Sequence, residues 1–215
     1  MSIIKVDSRN GILRTMLVNY LLLDALGITF YLFILWRRLK EDYSSAVVFS
    51  LGFIVLISVA IGQVISYFLL PDYWFWLAIM GVSTGLIFSY YRYKFRIYET
   101  LDAFTESVFP WLLLIFLFDS VHNKSVSSLG GVFVILSLTI FYYFINSQYK
   151  KFTWYKSGKV GISGLLSLAI FFLLRGISGF FVSDMLTFAG RFDLILSLAL
   201  SFFCFLGVYH LSRLK

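Results

Sequence analysis

The sequence has few charged residues, few prolines and almost no cysteine. Only 13% of its 215 residues are charged, about half of the roughly 25% typical of soluble domains, and this deficit argues against an ordinary soluble protein. Two prolines leave little for the loops of an all-β fold. The single cysteine, Cys204, lies in an apolar run, where it has no partner for an intramolecular disulfide or a thiolate metal site.

Long apolar segments make up most of the sequence. A hydrocarbon core about 30 Å thick needs roughly 20 helical residues to cross it, and none of the apolar segments shows the sustained alternation of a β-barrel strand. The sequence therefore predicts an all-α integral membrane protein, a single polytopic domain over 1–215 with seven transmembrane helices. The predicted spans are approximately 16–36, 46–70, 73–91, 104–121, 129–146, 160–182 and 192–211.

The basic residues predict an orientation. Most of the 18 Lys and Arg residues fall in alternate loops and at the C-terminus, among them Arg37, Arg38, Arg92, Lys150 and Lys151. Loops of this kind face the cytoplasm, so the N-terminus is expected outside and the C-terminus in the cytoplasm, in the cell (inner) membrane. The net charge of +7 is thereby explained by membrane topology, and no nucleic-acid partner is expected.

Ionisable residues inside the predicted spans are candidates for function, because they are costly in a bilayer. Arg175 stands within the apolar stretch FFLLRGISGFF, and Glu106 is expected near the inner surface. At a rise of 1.5 Å per residue, five polar side chains fall in the outer half of the membrane: Tyr20, Asp24, Gln63, Asp119 and Arg175. Asp24 or Asp119 is the expected counter-ion of Arg175, since a carboxylate can hold a guanidinium bidentately.

Two interpretations of this group remain open. One is a buried ion pair that fixes helix register without a ligand. The other is an outward-facing polar cavity that binds an anionic headgroup, with Arg175 as the phosphate contact and Asn19 and Gln63 as substrate-binding residues or as interhelical hydrogen bonds. Gly81 and Gly85 in GVSTG have a spacing that allows close helix packing, or that exposes backbone to a bound ligand.

No metal-ligand spacing, glycine-rich phosphate loop or Ser-His-Asp arrangement is visible in the sequence. We therefore expect no metal and no cofactor. An internal repeat of the kind found in many transporters is also not visible, which gives a small-solute transporter little support.

Three segments resemble the prolipoprotein diacylglyceryl transferase family: NYLLLDALGITFYLFILWRR (19–38), KSGKVGISGLLSLAIFFLLRGIS (156–178) and RFDLILSLALSFFCFLGVYHLSR (191–213). They resemble the first, sixth and closing helices, and Tyr20 and Arg175 fall at the family's essential tyrosine and a functional arginine. The H-G-G motif would align with Met80–Val82, and the R-x-G-N-x-x-N motif with FLFDSVHN (116–123). The chain thus resembles a divergent member that lacks both motifs.

The resemblance implies an integral enzyme that moves diacylglycerol from phosphatidylglycerol to the lipobox cysteine of a preprolipoprotein. Its partners would be a phosphatidylglycerol-like anionic phospholipid and such a preprolipoprotein. Arg175 would hold the phosphate, Tyr20 would assist it, and Asp24 or Asp119 would act as base. The alternative is a catalytically inactive lipid-binding or scaffold protein on the same fold.

Overall fold

The computed structural model describes the backbone of residues 3–152, 155, 160–181 and 191–213, and the side chains of residues 21–152, 155, 160–181 and 192–213. Within these ranges there are α-helices and short 3₁₀ turns and no β-strand. The helices are α1 (Ile3–Leu39), α2 (Ser45–Leu69), α3 (Trp74–Tyr93), α4 (Ile97–His122), α5 (Val126–Gln148), α6 (Ile162–Ser178) and α7 (Arg191–Arg213). The prediction of an all-helical fold is confirmed.

Five helical stretches in the described part of the chain are long and apolar enough to cross a membrane: Ser45–Leu69, Pro71–Tyr93, Ile97–His122, Val126–Lys151 and Phe192–Arg213. The apolar helix α6 is shorter, at 17 residues. Many large apolar side chains on these helices are exposed, as expected for surfaces that face lipid rather than water. The chain is therefore a multi-pass membrane protein.

Helix α4 lies at the centre of the packing, because it contacts α1, α5 and α6, whereas α2 packs mainly on α3 and α7 on α6. It begins at Ile97, seven residues before the predicted start of the fourth span. The residues before 104, among them Glu99 and Asp102, lay outside the predicted span. In the structure Asp102 is instead buried inside the bundle.

The glycines of α3 bring that helix close to α2. A Cβ on Gly81 would lie 2.6 Å from the carbonyl oxygen of Ser58, and one on Gly85 would lie 2.8 Å from the Cα of Val55. Both distances are too short for a real side chain, so these positions need glycine. Of the two interpretations of GVSTG, the contacts agree with close helix packing.

The two ends of the bundle differ in charge. Helices α1, α3, α5 and α7 finish at one end, which we call the basic end because their last turns or following residues carry Arg37, Arg38, Arg92, Lys150 and Arg213. Two hydrogen bonds join helices at this end. Arg38 of α1 bonds to Asn146 of α5, and Tyr98 of α4 bonds to His210 of α7. The other end, where α6 finishes and α3, α5 and α7 begin, is called the opposite end.

Candidate functional site

Arg175 lies near the end of α6, at the opposite end of the bundle, and only 4% of its surface is exposed. Its Nη1 donates a hydrogen bond to Ser197 Oγ, and its Nη2 lies 3.4 Å from Asp193 Oδ1. Asp193 and Ser197 are four residues apart on α7 and therefore share one face of that helix. The consecutive helices α6 and α7 are thus joined by a buried charged pair and a hydroxyl.

Aromatic side chains from the start of α3 complete this site. The guanidinium carbon of Arg175 lies 4.3 Å from the ring centre of Phe75 and 5.0 Å from that of Trp76. Trp76 also donates its indole N–H to Asp193. An aromatic face attracts a guanidinium, and more strongly where water is excluded. Arg175, on α6, is therefore held in place by side chains from α3 and α7.

The predicted counter-ion of Arg175 is wrong: Asp193 occupies that role, not Asp24 or Asp119. Depth along the membrane normal brought Asp24 and Asp119 to the level of Arg175, but depth says nothing about the position of a helix around the bundle. Helix α1, which carries Asp24, packs on α4 and α2, whereas α7 packs directly on α6. Asp193 lies at the edge of the predicted seventh span and was not considered.

Asp119 stabilises the connection between α4 and α5. Its Oδ1 accepts a hydrogen bond of 2.7 Å from Asn123 Nδ2, and its Oδ2 accepts one from Ser128 Oγ. Ser125 caps α5, because its Oγ accepts the backbone N–H of Ser128. The carboxylate therefore has local partners at a helix junction.

Asp24 and Gln63 line a cavity of about 680 Å³ between α1, α2, α3 and α4. Gln63 Nε2 donates to the backbone oxygen of Trp74 at 3.1 Å, and Trp74 and Trp111 form part of the same wall. Two of the predicted polar residues thus share a cavity with each other, but that cavity does not include Arg175. Asn19 and Tyr20 lie in α1, outside the described side chains.

Arg175 belongs to a different cavity, of about 640 Å³, which lies between α5 and α6. Its walls are mostly apolar and include Phe116, Ile135, Phe171 and Leu174. We call it the α5–α6 cavity. Its volume falls in the range of about 300–1,000 Å³ typical of small-molecule sites. Arg175 is among the residues that line it, together with the polar Ser127 and Ser178.

A polar cluster at the basic end was missed by the sequence analysis. We call it the Asp102 cluster, and its members come from α1, α4, α5 and α6: Arg38, Asp102, Glu106, Tyr142, Asn146 and Ser163. Asp102 is 0% exposed. It accepts hydrogen bonds from Arg38 Nη2 at 2.8 Å, Ser163 Oγ at 2.7 Å and the backbone N–H of Gly164 at 2.6 Å, and it lies 3.0 Å from Tyr142 Oη.

Glu106 extends this cluster by one helical turn. Its Oε2 lies 3.0 Å from Tyr142 Oη and its Oε1 lies 3.0 Å from Tyr143 Oη, while Arg38 Nε is 3.7 Å away. Arg38 Nη2 also donates to Asn146 Oδ1 at 2.8 Å. The spacing of four residues between Asp102 and Glu106, which puts two carboxylates on one helix face, was the available signal in the sequence.

Among the described residues, no group of three or more His, Cys, Asp or Glu side chains could hold a metal ion. The candidate sites are therefore the Arg175 site with its α5–α6 cavity, the cavity of Asp24 and Gln63, and the Asp102 cluster. Comparison of the chain with protein-family models, with curated proteins and with solved structures found no match.

Proposed function

We propose that this protein binds an anionic phospholipid of the phosphatidylglycerol type. An acyl chain occupies the α5–α6 cavity, and the headgroup phosphate contacts Arg175. The observation that carries the proposal is the position of a buried arginine on the wall of an apolar cavity of about 640 Å³. An apolar cavity with one cationic group matches an amphiphile that has one anionic group.

The chemical shape of the Arg175 side chain supports a contact with phosphate, because a guanidinium presents several N–H donors in one plane. The planar guanidinium also suits phosphate recognition better than an ammonium group does.

The exposed apolar residues at the rim of the cavity offer a route for the lipid. Leu174, Ile177 and Phe181 line it and are exposed. In a bilayer these side chains would face acyl chains, so a lipid could enter sideways between α5 and α6. The lipid would therefore reach the cavity without passing through water.

For the orientation we propose seven membrane crossings, with the basic end in the cytoplasm and the N-terminus outside. Loops rich in Lys and Arg favour the cytoplasmic side. The Arg175 site then corresponds to the outer leaflet of the cell membrane, where its ligand would be drawn from outer-leaflet phospholipid.

A diacylglyceryl transferase acting on a lipobox-containing preprolipoprotein is the second function that we propose, in line with the resemblance described above. Such an enzyme needs a base close to the group that holds the phosphate. Asp193 is a carboxylate in that position, in place of the expected Asp24 or Asp119, but it already accepts the indole N–H of Trp76. Binding without turnover is therefore the better-supported function.

The test is native mass spectrometry of the protein released from nanodiscs that contain phosphatidylglycerol and phosphatidylcholine. Wild-type protein is expected to retain phosphatidylglycerol. Gly130→Phe is expected to fill the cavity, because Gly130 lines it and a Cβ there would meet nothing within 4 Å. Ile140→Phe, on an exposed part of the same helix, is the matched control.

Gly130→Phe should lower phosphatidylglycerol retention by about tenfold, equivalent to roughly 1.4 kcal/mol of binding free energy, while Ile140→Phe should leave it unchanged. Arg175→Lys, which keeps the charge but loses the planar fork, should reduce the preference for phosphatidylglycerol over phosphatidylcholine. Equal retention by wild type and Gly130→Phe would contradict the proposal. Transfer of a labelled diacylglyceryl group to a lipobox peptide by wild type would establish the transferase instead.

A further inference from the structure

Asp24 of α1 takes part in no ion pair among the side chains that the structure describes. It lies about 20 Å along α1 from Arg37 at the basic end, which places it within a hydrocarbon core about 30 Å thick. The preceding cation on the same helix is Arg14, ten residues away. This separation is about 15 Å along the helix axis, too far for an ion pair. A carboxyl group at such a depth is usually paired, so the surroundings of Asp24 favour a cation from outside the chain.

Aromatic rings line the same cavity as Asp24. They belong to Tyr31 of α1, Trp74 of α3, and Phe104 and Trp111 of α4. The ring centre of Tyr31 lies 6.2 Å from that of Trp111 and 6.2 Å from that of Phe104, so three of the four rings adjoin one another. The face of an aromatic ring attracts a cation, and sets of such rings are the sites that recognise organic ammonium ions.

Gly27 brings one of these rings close to the carboxyl group. It follows Asp24 by three residues and therefore lies on the same side of α1. A Cβ on Gly27 would collide with the indole of Trp111, so the glycine lets that ring lie directly against the helix. An indole is the aromatic face that attracts a cation most strongly. Helix packing thus sets a carboxyl group and an indole about one helical turn apart.

The cavity is large enough for a small molecule and is open at one side. Its volume of about 680 Å³ falls in the range of about 300–1,000 Å³ that is typical of ligand sites. Helices α1 and α2 are in contact near Gly52, where a Cβ would lie 2.6 Å from Leu32 Cδ2. Further toward the opposite end, Asp24 and Ile57 line the cavity and are exposed. A ligand would therefore enter between α1 and α2.

The hydroxyl of Tyr31 is a second observation, independent of Asp24, that indicates a bound molecule. Tyr31 is 1% exposed, and its Oη has no hydrogen-bond partner among the described residues. Buried hydroxyl groups in folded proteins nearly always have a partner. The wall of this cavity therefore contains a polar atom that the described part of the chain does not satisfy.

We propose that this cavity binds an organic ammonium ion with an apolar body. The cationic nitrogen lies beside Asp24 and over the face of Trp111, and the apolar body packs against Val59 and Val108 of the same cavity. The ammonium group belongs either to a free amine or to the headgroup of a lipid. This site takes a cation and is separate from the Arg175 site, for which we propose an anion.

The test is equilibrium binding of labelled phenyltrimethylammonium to the full-length protein in uncharged dodecyl maltoside micelles. Asp24→Asn should weaken binding about tenfold, and Trp111→Leu should weaken it about fivefold. Asp72→Asn is the matched control, because Asp72 is an exposed carboxylate on the 3₁₀ turn before α3 that does not line the cavity. The control should bind the cation as tightly as wild type.

A competition experiment on wild type decides the question even if Asp24→Asn does not fold. The competitor is tert-butylbenzene, which has the shape of phenyltrimethylammonium without its charge, and it should displace the labelled cation poorly. The proposal is overturned if wild type shows no saturable binding or if tert-butylbenzene competes as well as unlabelled phenyltrimethylammonium. It is equally overturned if folded Asp24→Asn binds as tightly as Asp72→Asn.

A further competition identifies the source of the ammonium group. Displacement of the labelled cation by a short-chain phosphatidylcholine would identify a lipid headgroup as the ligand. Saturable binding that this lipid does not displace would identify a free amine. Either result supports an ammonium site beside Asp24.

Discussion

Asp102→Asn probes how strongly the buried cluster holds four helices together at the basic end. The amide keeps one oxygen for Ser163 and the N–H of Gly164, but its NH₂ group then faces two other donors, Arg38 and Tyr142. Removing one partner of a buried ion pair typically costs about 3–5 kcal/mol. Because 28% of the Arg38 side chain is exposed, water screens part of its charge, and we expect the lower end, about 3 kcal/mol.

Glu99→Gln is the matched control for this prediction. The pair of Arg96 and Glu99 has nearly the same length, 2.9 Å against 2.8 Å for Arg38 and Asp102, but the Arg96 side chain is 71% exposed. Exposed ion pairs contribute little to stability, so this change is expected to leave the unfolding transition where it is. The comparison separates the effect of burial from the effect of distance.

The measurement is unfolding by sodium dodecyl sulfate in mixed micelles, followed by the fluorescence of the five tryptophans. A loss of about 3 kcal/mol corresponds to a change of roughly 150-fold in the unfolding equilibrium constant. If Asp102→Asn and Glu99→Gln shifted the transition equally, burial would not be the deciding factor. A shift below about 1 kcal/mol for Asp102→Asn would refute the reasoning.

Three further predictions follow from glycine and tryptophan contacts and use the same unfolding assay. Gly81→Ala should destabilise the protein by about 1–3 kcal/mol, because the new Cβ would lie 2.6 Å from the backbone of α2. Gly130→Ala, with open space at its Cβ, should leave the stability unchanged. Equal effects of the two changes would contradict the packing role of Gly81. Gly161→Ala should cost about 1–3 kcal/mol, since this residue has φ of 123°; an unchanged transition would argue against backbone strain at the start of α6. Trp76→Phe removes the N–H that Asp193 accepts and should cost about 1–3 kcal/mol, and a stability equal to wild type would show that this hydrogen bond contributes nothing.

Parts of the site could be predicted from the sequence. Arg175 was identified because an arginine inside an apolar stretch is rare and costly, and the structure gives it buried partners. The GVSTG spacing gave close helix packing as one of its two interpretations. Both predictions rest on local chemistry, which does not depend on how the helices are arranged.

The partners of these residues could not be predicted in the same way. Asp102 lay two residues before the predicted fourth span and was not a candidate, although in the structure it accepts hydrogen bonds from donors on three other helices. Asp193 is the second residue of the predicted seventh span and was not among the candidates either. A polar residue near the end of a helix has the same local sequence pattern whether it is exposed or buried.

By itself, the sequence determined that the chain is helical, apolar and suited to a membrane, because length and hydropathy of a segment are enough to show that it can cross a bilayer. It also determined the height of each polar residue along its helix, since the rise per residue is constant. Only the tertiary structure decided which helices face each other, and therefore that Arg175 pairs with Asp193 and Arg38 with Asp102. The physical reason is that lateral helix contacts depend on the packing of whole surfaces, which no single segment contains.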